Sequence, residues 1–310
     1  MTDYRAMKVF RTLAELATEN RPVYLAIGVF DGVHLGHQRV IGQARTAAQQ
    51  AAGLSVALTF DPHPIRILRP DQAPVLLTST AHKLALIRQL GVDACVLINF
   101  DNAFAATTAE NFIEQIAFCR HVCVGTRFHF GYNRAGNPAL LEQLAPRHGF
   151  TVTEITPVLT PDGEMISSTA VRQHILAGNL DRAAVMLGRQ FSILGTVVKG
   201  DGVGHTLGFP TANLDSHHEA FPPDGVYATR VIVAGQTFTG VINLGRRPTF
   251  AGRSHQRVLE VHILDFSRDI YGQEIEVVFH WKLRGEQKFA SAAALQEQIA
   301  ADIGVARRLE

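Results

Sequence analysis

The sequence predicts a chain of two domains, an α/β domain with a parallel sheet followed by an all-β domain built as an antiparallel barrel. Its length of 310 residues exceeds that of one average domain. From Val23 to about Val158, short apolar runs alternate with amphipathic segments, as in strands joined by helices in a parallel sheet. After Gly188, strand-length segments follow one another without helices between them, which is typical of an antiparallel barrel. We therefore predict domains over residues 1–187 and 188–310.

The first domain is predicted to alternate strands with helices. Residues 23–27 form a short apolar run, as in a strand that is buried on both faces. Thr107 and Glu110 have the spacing of a capping box, which predicts the start of a helix. The predicted strands cover residues 23–27, 55–60, 94–100, 122–125 and 151–157, and the predicted helices cover residues 38–50, 81–90, 138–144, 168–178 and 179–187.

The second domain is predicted to consist of strands and one closing helix. Turns are expected at Gly200, Gly235 and Gly272, between segments that alternate or run apolar at strand length. The predicted strands cover residues 191–198, 226–233, 237–244, 258–264 and 275–283, and an amphipathic helix covers about 292–308.

Charge and composition exclude several classes of protein. Lys and Arg number 29 against 28 Asp and Glu, and no basic cluster is longer than two residues, so we expect no nucleic-acid partner. No apolar run is long enough to cross a bilayer, and the first residues lack the apolar core of a secretory signal, so we expect no membrane partner. Three cysteines fit a reducing compartment, which predicts a cytoplasmic protein. The sequence does not fix the oligomeric state.

The turn of residues 28–37 is the first candidate phosphate site. Glycines such as Gly28 and Gly36 let the backbone turn sharply and approach a ligand closely. The helix that follows offers unbonded N–H groups and a partial positive charge at its N-terminus, which suits phosphate. His34 and His37 lie three residues apart on its first turn and can donate hydrogen bonds to a phosphate that gains charge. The alternative is a pair of surface histidines at a glycine-rich turn.

A second candidate cradle lies at the start of the helix of residues 168–178. Ser167, Ser168 and Thr169 are three consecutive hydroxyls, and Arg172 follows one turn later. Hydroxyls together with a guanidinium suit a triphosphate, although Ser168 or Thr169 could simply cap the helix. His63, in the sequence Asp61-Pro-His-Pro64, is on spacing alone a turn residue at the exit of a strand.

In the second domain, the stretch Leu207-Gly-Phe-Pro-Thr-Ala-Asn-Leu214 carries the clearest chemistry. Pro210 fixes the chain direction, and Thr211 and Asn213 then point the same way from an extended segment. Hydroxyl and amide oxygens are hard ligands that suit Mg²⁺ and nucleotide phosphates, although a Pro-Thr turn with an Asx bond is the simpler interpretation. Glu260 is the only carboxylate in the apolar strand of residues 258–264, where it could equally be an outward-facing strand residue.

These motifs resemble those of a known family, in order and along nearly the whole chain. The histidine turn is similar to the His-x-Gly-His signature of the nucleotidyltransferase superfamily, and Ile166-Ser-Ser-Thr-x-x-Arg172 is similar to a second motif of that superfamily. Phe30-Asp-Gly-Val-His-Leu-Gly-His37 resembles specifically the bacterial bifunctional riboflavin kinase/FAD synthetase (FMN adenylyltransferase) family. Pro210-Thr-Ala-Asn213 resembles the corresponding motif of riboflavin kinases, and further matches follow from Asp224 to Phe289.

The resemblance implies a Rossmann-like nucleotidyltransferase domain and a riboflavin kinase-like barrel, which together make FMN from riboflavin and then FAD from FMN, with ATP and Mg²⁺ in both reactions. It implies catalytic roles for Glu260, the base for the riboflavin 5′-hydroxyl, and for His34, His37 and Arg172. The implied ATP-binding residues are Gly28, Phe30, Asp31, Gly36, His63, Ser167, Ser168, Thr169, Gly204, Thr211 and Asn213, of which Thr211 and Asn213 also bind the metal. The implied flavin-binding residues are Phe128, Phe130, Asn137, Arg284 and Glu286.

The chain departs from the family pattern in the loop of residues 124–137. At Arg127 the family usually has Asp or Asn, and at Asn137 commonly Asp, so the hydrogen-bond sense at Arg127 is reversed. His205 and Gly285 stand where the kinase half commonly has Arg and an acidic residue. Two alternatives therefore stay open: a riboflavin kinase with a weakened or non-catalytic first half, and a flavin-binding protein without turnover.

Overall fold

The computed structural model describes residues 7–200, 208–216, 218–247 and 256–309. The chain forms two compact units: the first extends to Ala170 except for Leu77–Ser79, and the second contains Leu77–Ser79 and the chain from Val171 onwards. The division of the chain into domains at 187 and 188 stays a prediction.

The first unit is built on a sheet of six parallel strands in the order β1-β4-β3-β2-β5-β6, which confirms the predicted parallel α/β architecture. The strands are β1 (Lys8–Phe10), β2 (Val23–Ile27), β3 (Leu54–Asp61), β4 (Ala94–Asn99), β5 (Cys119–Gly125) and β6 (Thr151–Ile155). The helices up to Ala170 are α1 (Leu13–Leu16), α2 (Leu35–Gln50), α3 (Pro64–Leu68), α4 (Thr80–Gln89), α5 (Asn102–Ala105), α6 (Ala109–Gln115), α7 (Pro138–His148) and the start of α8 (Ser168–Leu176).

The sheet is buried because both of its faces carry apolar side chains. Leu25 and its alternate neighbours pack with Phe112 of α6, whereas Ala26 points to the opposite face and packs with Ile41 of α2 and Ile87 of α4. This two-sided burial explains why β2 reads as an unbroken apolar run. Cys95, Cys119 and Cys123 are all buried and free of disulfides, and burial raises the pKa of each thiol.

The strand order places a switch point between β2 and β5. From β2 the chain continues to β3 and β4 on one side, and it then crosses back to β5 on the other side. In open parallel sheets, ligands bind beyond the carboxyl ends of the strands at such a point. The histidine turn follows β2 and the loop of residues 126–137 follows β5, so both leave the sheet at this position.

The second unit contains a closed barrel of antiparallel strands in the order β10-β11-β8-β7-β12-β9, which confirms the prediction. A helix at the end of the chain packs on its outside, where Val226, Val241 and Ala306 share a small apolar core. After α8, the elements are α9 (Leu180–Leu187), β7 (Ser192–Val198), β8 (Ala212–Asp215), β9 (Gly225–Val233), β10 (Gln236–Arg247), β11 (Gln256–Ile263), β12 (Glu274–Arg284) and α10 (Ala292–Ala306).

Several short elements and one cap differ from the sequence prediction. The short elements that were not predicted are three to five residues long, too short for a periodic pattern to show: β1, α1, α3, α5 and β8. The helix α6 starts as predicted, but its cap is Thr108, whose hydroxyl accepts from Asn111 N at 3.2 Å. The carbonyl of Thr107 instead accepts from Tyr132 N.

Candidate functional site

The histidine turn is organised by His34 at the start of α2. His34 is the N-cap, and its Nδ1 accepts a hydrogen bond from His37 N at 3.3 Å. This bond explains why α2 begins at Leu35, ahead of the predicted residue 38. Because Nδ1 accepts, the neutral ring carries its proton on Nε2, which makes Nε2 a donor. The two imidazoles are stacked, with ring centroids 3.6 Å apart, so a shared ligand could meet both.

The same turn holds strained backbone. Phe30 and Val33 have φ of 54° and 41°, in the left-handed region that large and β-branched residues rarely adopt, and both side chains are fully buried. The Phe30 ring lies edge-on to His37 and covers Gly28, where a Cβ would approach it to 2.5 Å. Strain of this kind concentrates at sites whose geometry the surrounding structure enforces.

The chain before α8 lies against the histidine turn. Ser168 Oγ donates to the carbonyl of Asp31 at 2.9 Å, and a Cβ on Gly36 would come within 3.9 Å of the Ile166 carbonyl. The predicted cap of α8 is displaced by one residue: Ser167 Oγ accepts from Ala170 N at 3.2 Å. The first residues of the second predicted cradle therefore meet the histidine turn through Ser168.

The other predicted members of these cradles are placed separately. Thr169 is exposed on the first turn of α8, and Arg172 follows on the same helix and groups with the second unit. His63 is the N-cap of α3, where its Nδ1 accepts from Ile65 N at 3.3 Å. Gly204 lies outside the described residues.

Of the predicted flavin residues in the loop after β5, one belongs to the core. Phe130 is buried, exchanges two backbone hydrogen bonds with Gly136 and packs on Phe112. Phe128 is half-buried and stacks on Phe130 with centroids 5.4 Å apart, so its outer face is the one a planar ring could meet. Asn137 is the N-cap of α7, and its Oδ1 accepts from Leu140 N at 2.9 Å.

In the barrel, strand register sets three polar residues in one row. Glu260 of β11 is directly opposite Asn213 of β8 on one side and Asn243 of β10 on the other. Leu259 and Val261 are buried in the barrel, so the alternate residue Glu260 points away from that core and is half-buried. The outward-facing position foreseen for Glu260 is thus part of a continuous polar row. Directly opposed side chains lie roughly 5 Å apart at Cβ, close enough for one ligand to touch several.

The segment before Asn213 is held against the same row. Nδ1 of His262, two residues after Glu260, is 2.7 Å from the Pro210 carbonyl, which fixes Thr211 at the edge of β11. Gly200 passes so close to Asn213 that any side chain there would collide with its amide. The described residues hold no cluster of three His, Cys, Asp or Glu side chains for a metal. Neutral oxygens beside one carboxylate nevertheless suit Mg²⁺, which usually keeps waters and substrate phosphates as its other ligands.

Two predicted flavin residues lie at the end of β12 and just beyond it. The Glu286 carboxylate covers Gly245, where a Cβ would lie 2.5 Å from Glu286 Oε1 and 3.9 Å from Asn243 Nδ2. Glu286 therefore extends the polar row. Arg284 Nε instead forms a buried ion pair with Asp302 Oδ2 of α10 at 2.9 Å. Its guanidinium is thus a link between the barrel and the terminal helix.

Comparison with known proteins assigns both halves. Residues 16–170 match the family model described as FAD synthetase, and residues 187–310 match the model described as riboflavin kinase. A relative from Escherichia coli (strain K12), named bifunctional riboflavin kinase/FMN adenylyltransferase, is 40% identical over 307 residues, which is 97% of each chain. The chain belongs to the bifunctional riboflavin kinase/FMN adenylyltransferase family.

Other members of the family are similarly close. Relatives of the same name from Pseudomonas fluorescens and Haemophilus influenzae are each 39% identical, with coverage of 98% and 91% of this chain and 98% and 92% of theirs. A crystal structure described as a macrolide-efflux protein from Streptococcus pneumoniae is 29% identical, with a TM-score of 0.79 over 98% of this chain and 99% of that one. In the described parts of this chain, no helix combines the length and apolar character of a membrane span.

Two clefts in the described residues lie away from the predicted residues. One, of about 600 Å³, lies beyond the carboxyl ends of β1 and β4 and is lined by residues such as Arg11 and Phe104. The other, of about 340 Å³, lies in the second unit between the start of α9 and β12. Neither is lined by a predicted site residue.

Sequence reasoning did not single out two polar residues that lie close to these candidate sites. Asn243 stood in a recognised motif, but its place in the polar row depends on the register of β10 with β11. Lys83 is buried on α4, and the signal for it was available: it falls on the face of the helix that carries Leu86 and Ile87 at helical spacing.

Proposed function

We propose that this chain makes FMN from riboflavin and ATP in its second half, and FAD and pyrophosphate from FMN and ATP in its first half. Membership of the bifunctional family supports both activities. The observation that carries the assignment of residues is that each half gathers separate sequence motifs into one local arrangement. In the first half Ser168 reaches the histidine turn, and in the second half Asn213, Glu260 and Asn243 form one row.

In the kinase half, Glu260 takes the proton from the riboflavin 5′-hydroxyl. The deprotonating hydroxyl oxygen attacks the γ-phosphorus of ATP, the bond to the β–γ bridging oxygen breaks, and ADP leaves with its electron pair. Asn243 and Asn213 flank the carboxylate and orient the hydroxyl and the phosphates. Thr211 and Asn213 would hold Mg²⁺, which when bound offsets negative charge on the transferring phosphoryl group.

In the adenylyltransferase half, a phosphate oxygen of FMN attacks the α-phosphorus of ATP, and pyrophosphate leaves with the electrons of the broken bond. No covalent intermediate with the protein is required. His34 and His37 donate hydrogen bonds to the phosphate oxygens as charge develops, and the N-terminus of α2 adds its partial positive charge. Arg172 is assigned the same task for the triphosphate. Ser167, Thr169, Asp31 and His63 complete the ATP contacts, and Phe128 is the flavin contact best supported by its half-buried face.

The cellular setting proposed from the sequence is the cytoplasm. Three free cysteines, all buried, are compatible with a reducing compartment that also supplies ATP. The partners in this setting are riboflavin, FMN, FAD and ATP, with no nucleic acid or membrane among them.

Two variants test the assignment. Purified protein is incubated with riboflavin, ATP and Mg²⁺, and flavins are separated by chromatography over time; FMN should appear first and FAD after it. Glu260→Gln should lose FMN formation by about 10² to 10⁴, the range for a general base, while it still converts supplied FMN to FAD. His37→Ala should keep FMN formation from riboflavin and lose the conversion of supplied FMN to FAD. FMN that accumulates without FAD in the unmodified protein would instead assign turnover to the kinase half alone. Arg127 would then be the first residue to replace, by Asp, one of the two residues that the family usually has there.

A further inference from the structure

Lys83 is a buried charge that the mechanism above does not use. It lies on α4 with 7% of its surface exposed. Its ammonium donates to the carbonyl of Phe60 at 2.8 Å and makes a longer contact of 3.5 Å with the carbonyl of Val29. Both acceptors are backbone groups; the carboxylates of Asp31 and Asp61 act on the ammonium through their charge. Burial lowers the pKa of Lys83, so the protein supports this charge at an energetic penalty.

The two carbonyls belong to the exits of neighbouring strands. Val29 follows the end of β2 and opens the histidine turn, and Phe60 lies at the end of β3 just before the turn that carries His63. Thr59 of β3 also donates its hydroxyl to the Val29 carbonyl, at 2.8 Å. One ammonium therefore joins two turns that are assigned to ATP.

A contiguous chain of contacts leads from Lys83 to the histidines. The Val29 carbonyl is part of the peptide group that precedes Phe30, and the positive φ of Phe30 is the rotation about the bond that joins this peptide group to the Phe30 Cα. The Phe30 ring contacts His37 edge-on at 5.3 Å between centroids, and His37 stacks on His34. A strained residue keeps its conformation only when its surroundings enforce it.

We propose that Lys83 is a positioning residue for adenylyl transfer, which ties together the exits of β2 and β3 and thereby sets the His34–His37 pair through Phe30. The proposal rests on the adenylyltransferase assignment of the first half. Lys83 touches no reacting atom in this arrangement. Its removal should therefore lower kcat for FAD formation more than it raises the KM for ATP.

The chain offers a matched control. Lys8 and Lys83 are the two lysines before Ala170, and Lys8 forms an exposed pair with Glu19 at 2.7 Å. Lys83→Met keeps the length of the side chain and removes its charge, and Lys8→Met does the same at the surface. We expect Lys83→Met to lose about 10- to 100-fold in kcat for FAD formation, with the KM for ATP changed less than about threefold. Lys8→Met should match the unmodified protein, and FMN formation should be unchanged in both.

Three further variants separate positioning from a purely structural role. Lys83→Arg restores a charged donor and should recover most of the activity. Thr59→Val removes the second donor to the Val29 carbonyl and should lower kcat in the same direction by a few-fold, which keeps the test available if Lys83→Met folds poorly. In a double-mutant cycle, Lys83→Met should add less than about threefold to the loss caused by His37→Ala, because both act through one ring.

Amide hydrogen exchange gives a readout that needs no turnover. In Lys83→Met, exchange should rise in peptides covering residues 28–37 and 60–66, and peptides of β5 and β6 should exchange as before. If Lys83→Met keeps its kcat, or if its loss simply multiplies with that of His37→Ala, Lys83 is structural and the proposal falls. If the unmodified protein makes no FAD from supplied FMN, the adenylyltransferase assignment fails, and unchanged exchange in the two turns would also remove the ordering role of Lys83.

Discussion

Replacement of Asp302 by asparagine tests whether Arg284 holds the terminal helix on the barrel. Asp302 is 5% exposed and the Arg284 side chain 14%, and their ion pair is 2.9 Å long. Removal of one partner of a buried pair destabilises by about 3–5 kcal/mol, because the other charge stays buried. Here the guanidinium keeps the Gly285 carbonyl at 3.2 Å and the face of Phe289, and asparagine keeps an acceptor oxygen. We therefore expect a loss of about 2–3 kcal/mol.

The chain contains one tryptophan, which makes the measurement selective. Trp281 lies on β12, three residues before Arg284, so its fluorescence follows unfolding of the second unit. With a urea m-value of about 2 kcal/mol/M, a loss of this size lowers the unfolding midpoint by about 1–1.5 M.

An exposed pair on the same surface provides the control. Arg307 and Asp265 are joined by two hydrogen bonds, but their side chains are 43% and 70% exposed. Asp265→Asn should leave the midpoint unchanged, since solvent screens such pairs. The double variant Arg284→Met/Asp302→Leu should recover most of the lost stability, because apolar residues replace buried pairs well. Equal midpoints for Asp302→Asn and Asp265→Asn, together with a raised KM for riboflavin in the former, would refute this reasoning and make Arg284 a flavin contact first.

Three other outcomes are expected. Ser168→Ala removes the hydroxyl that donates to the Asp31 carbonyl and should lower the rate of FAD formation about tenfold, with FMN formation unchanged in the same flavin assay. Asn213→Ala should raise the Mg²⁺ concentration needed for FMN formation several-fold, and a Mg²⁺ titration of FAD formation from supplied FMN should not move. Burial raises the pKa of Cys95 and Cys123 to about 12 and that of Cys119 further. Above the ordinary thiol value of 9.0, the unfolded chain therefore loses protons that the folded chain keeps. The stability of the first unit should then fall as pH rises from about 9 to 12. The lowered pKa of Lys83 makes stability rise with pH below 10.5, but this is one group against three thiols. Calorimetry under reductant should therefore show a lower melting temperature at pH 10 than at pH 8. The drop in melting temperature should be smaller in Cys119→Ala/Cys123→Ala.

The sequence was sufficient for the architecture because the strands carry strong local signals. β2 and β4 are continuous apolar runs, and barrel strands such as β12 alternate, so the type of the longer strands and their bounds along the chain could be predicted to within a few residues. The short elements were not predicted because three to five residues cannot show a period. β8 also follows Pro210, which weakens its reading as a strand.

Contacts between segments that are far apart along the chain could not be predicted from the sequence. Ser168 bonds to a carbonyl 137 residues away, and Lys83 of α4 bonds to one 23 residues away, near the end of β3. The acceptor of each bond is a backbone carbonyl, so no pairing of residue types in the sequence indicates either bond. The polar row of the barrel could not be predicted for a similar reason, because Asn243 lies opposite Glu260 only in the observed register of β10 with β11.

Several predicted binding residues turn out to cap helices, and capping does not exclude binding. His34 and His63 each accept a backbone N–H through Nδ1, and Asn137 does so through Oδ1. A cap uses one acceptor atom and fixes the side chain, so the opposite atom, Nε2 or Nδ2, is aimed in a set direction. For a phosphate that gains charge during transfer, a donor held in place before the reaction stabilises the transition state more than a mobile one. The cap at His34 is therefore part of how the histidine turn would act on the nucleotide, and Lys83 would hold the carbonyl that precedes it.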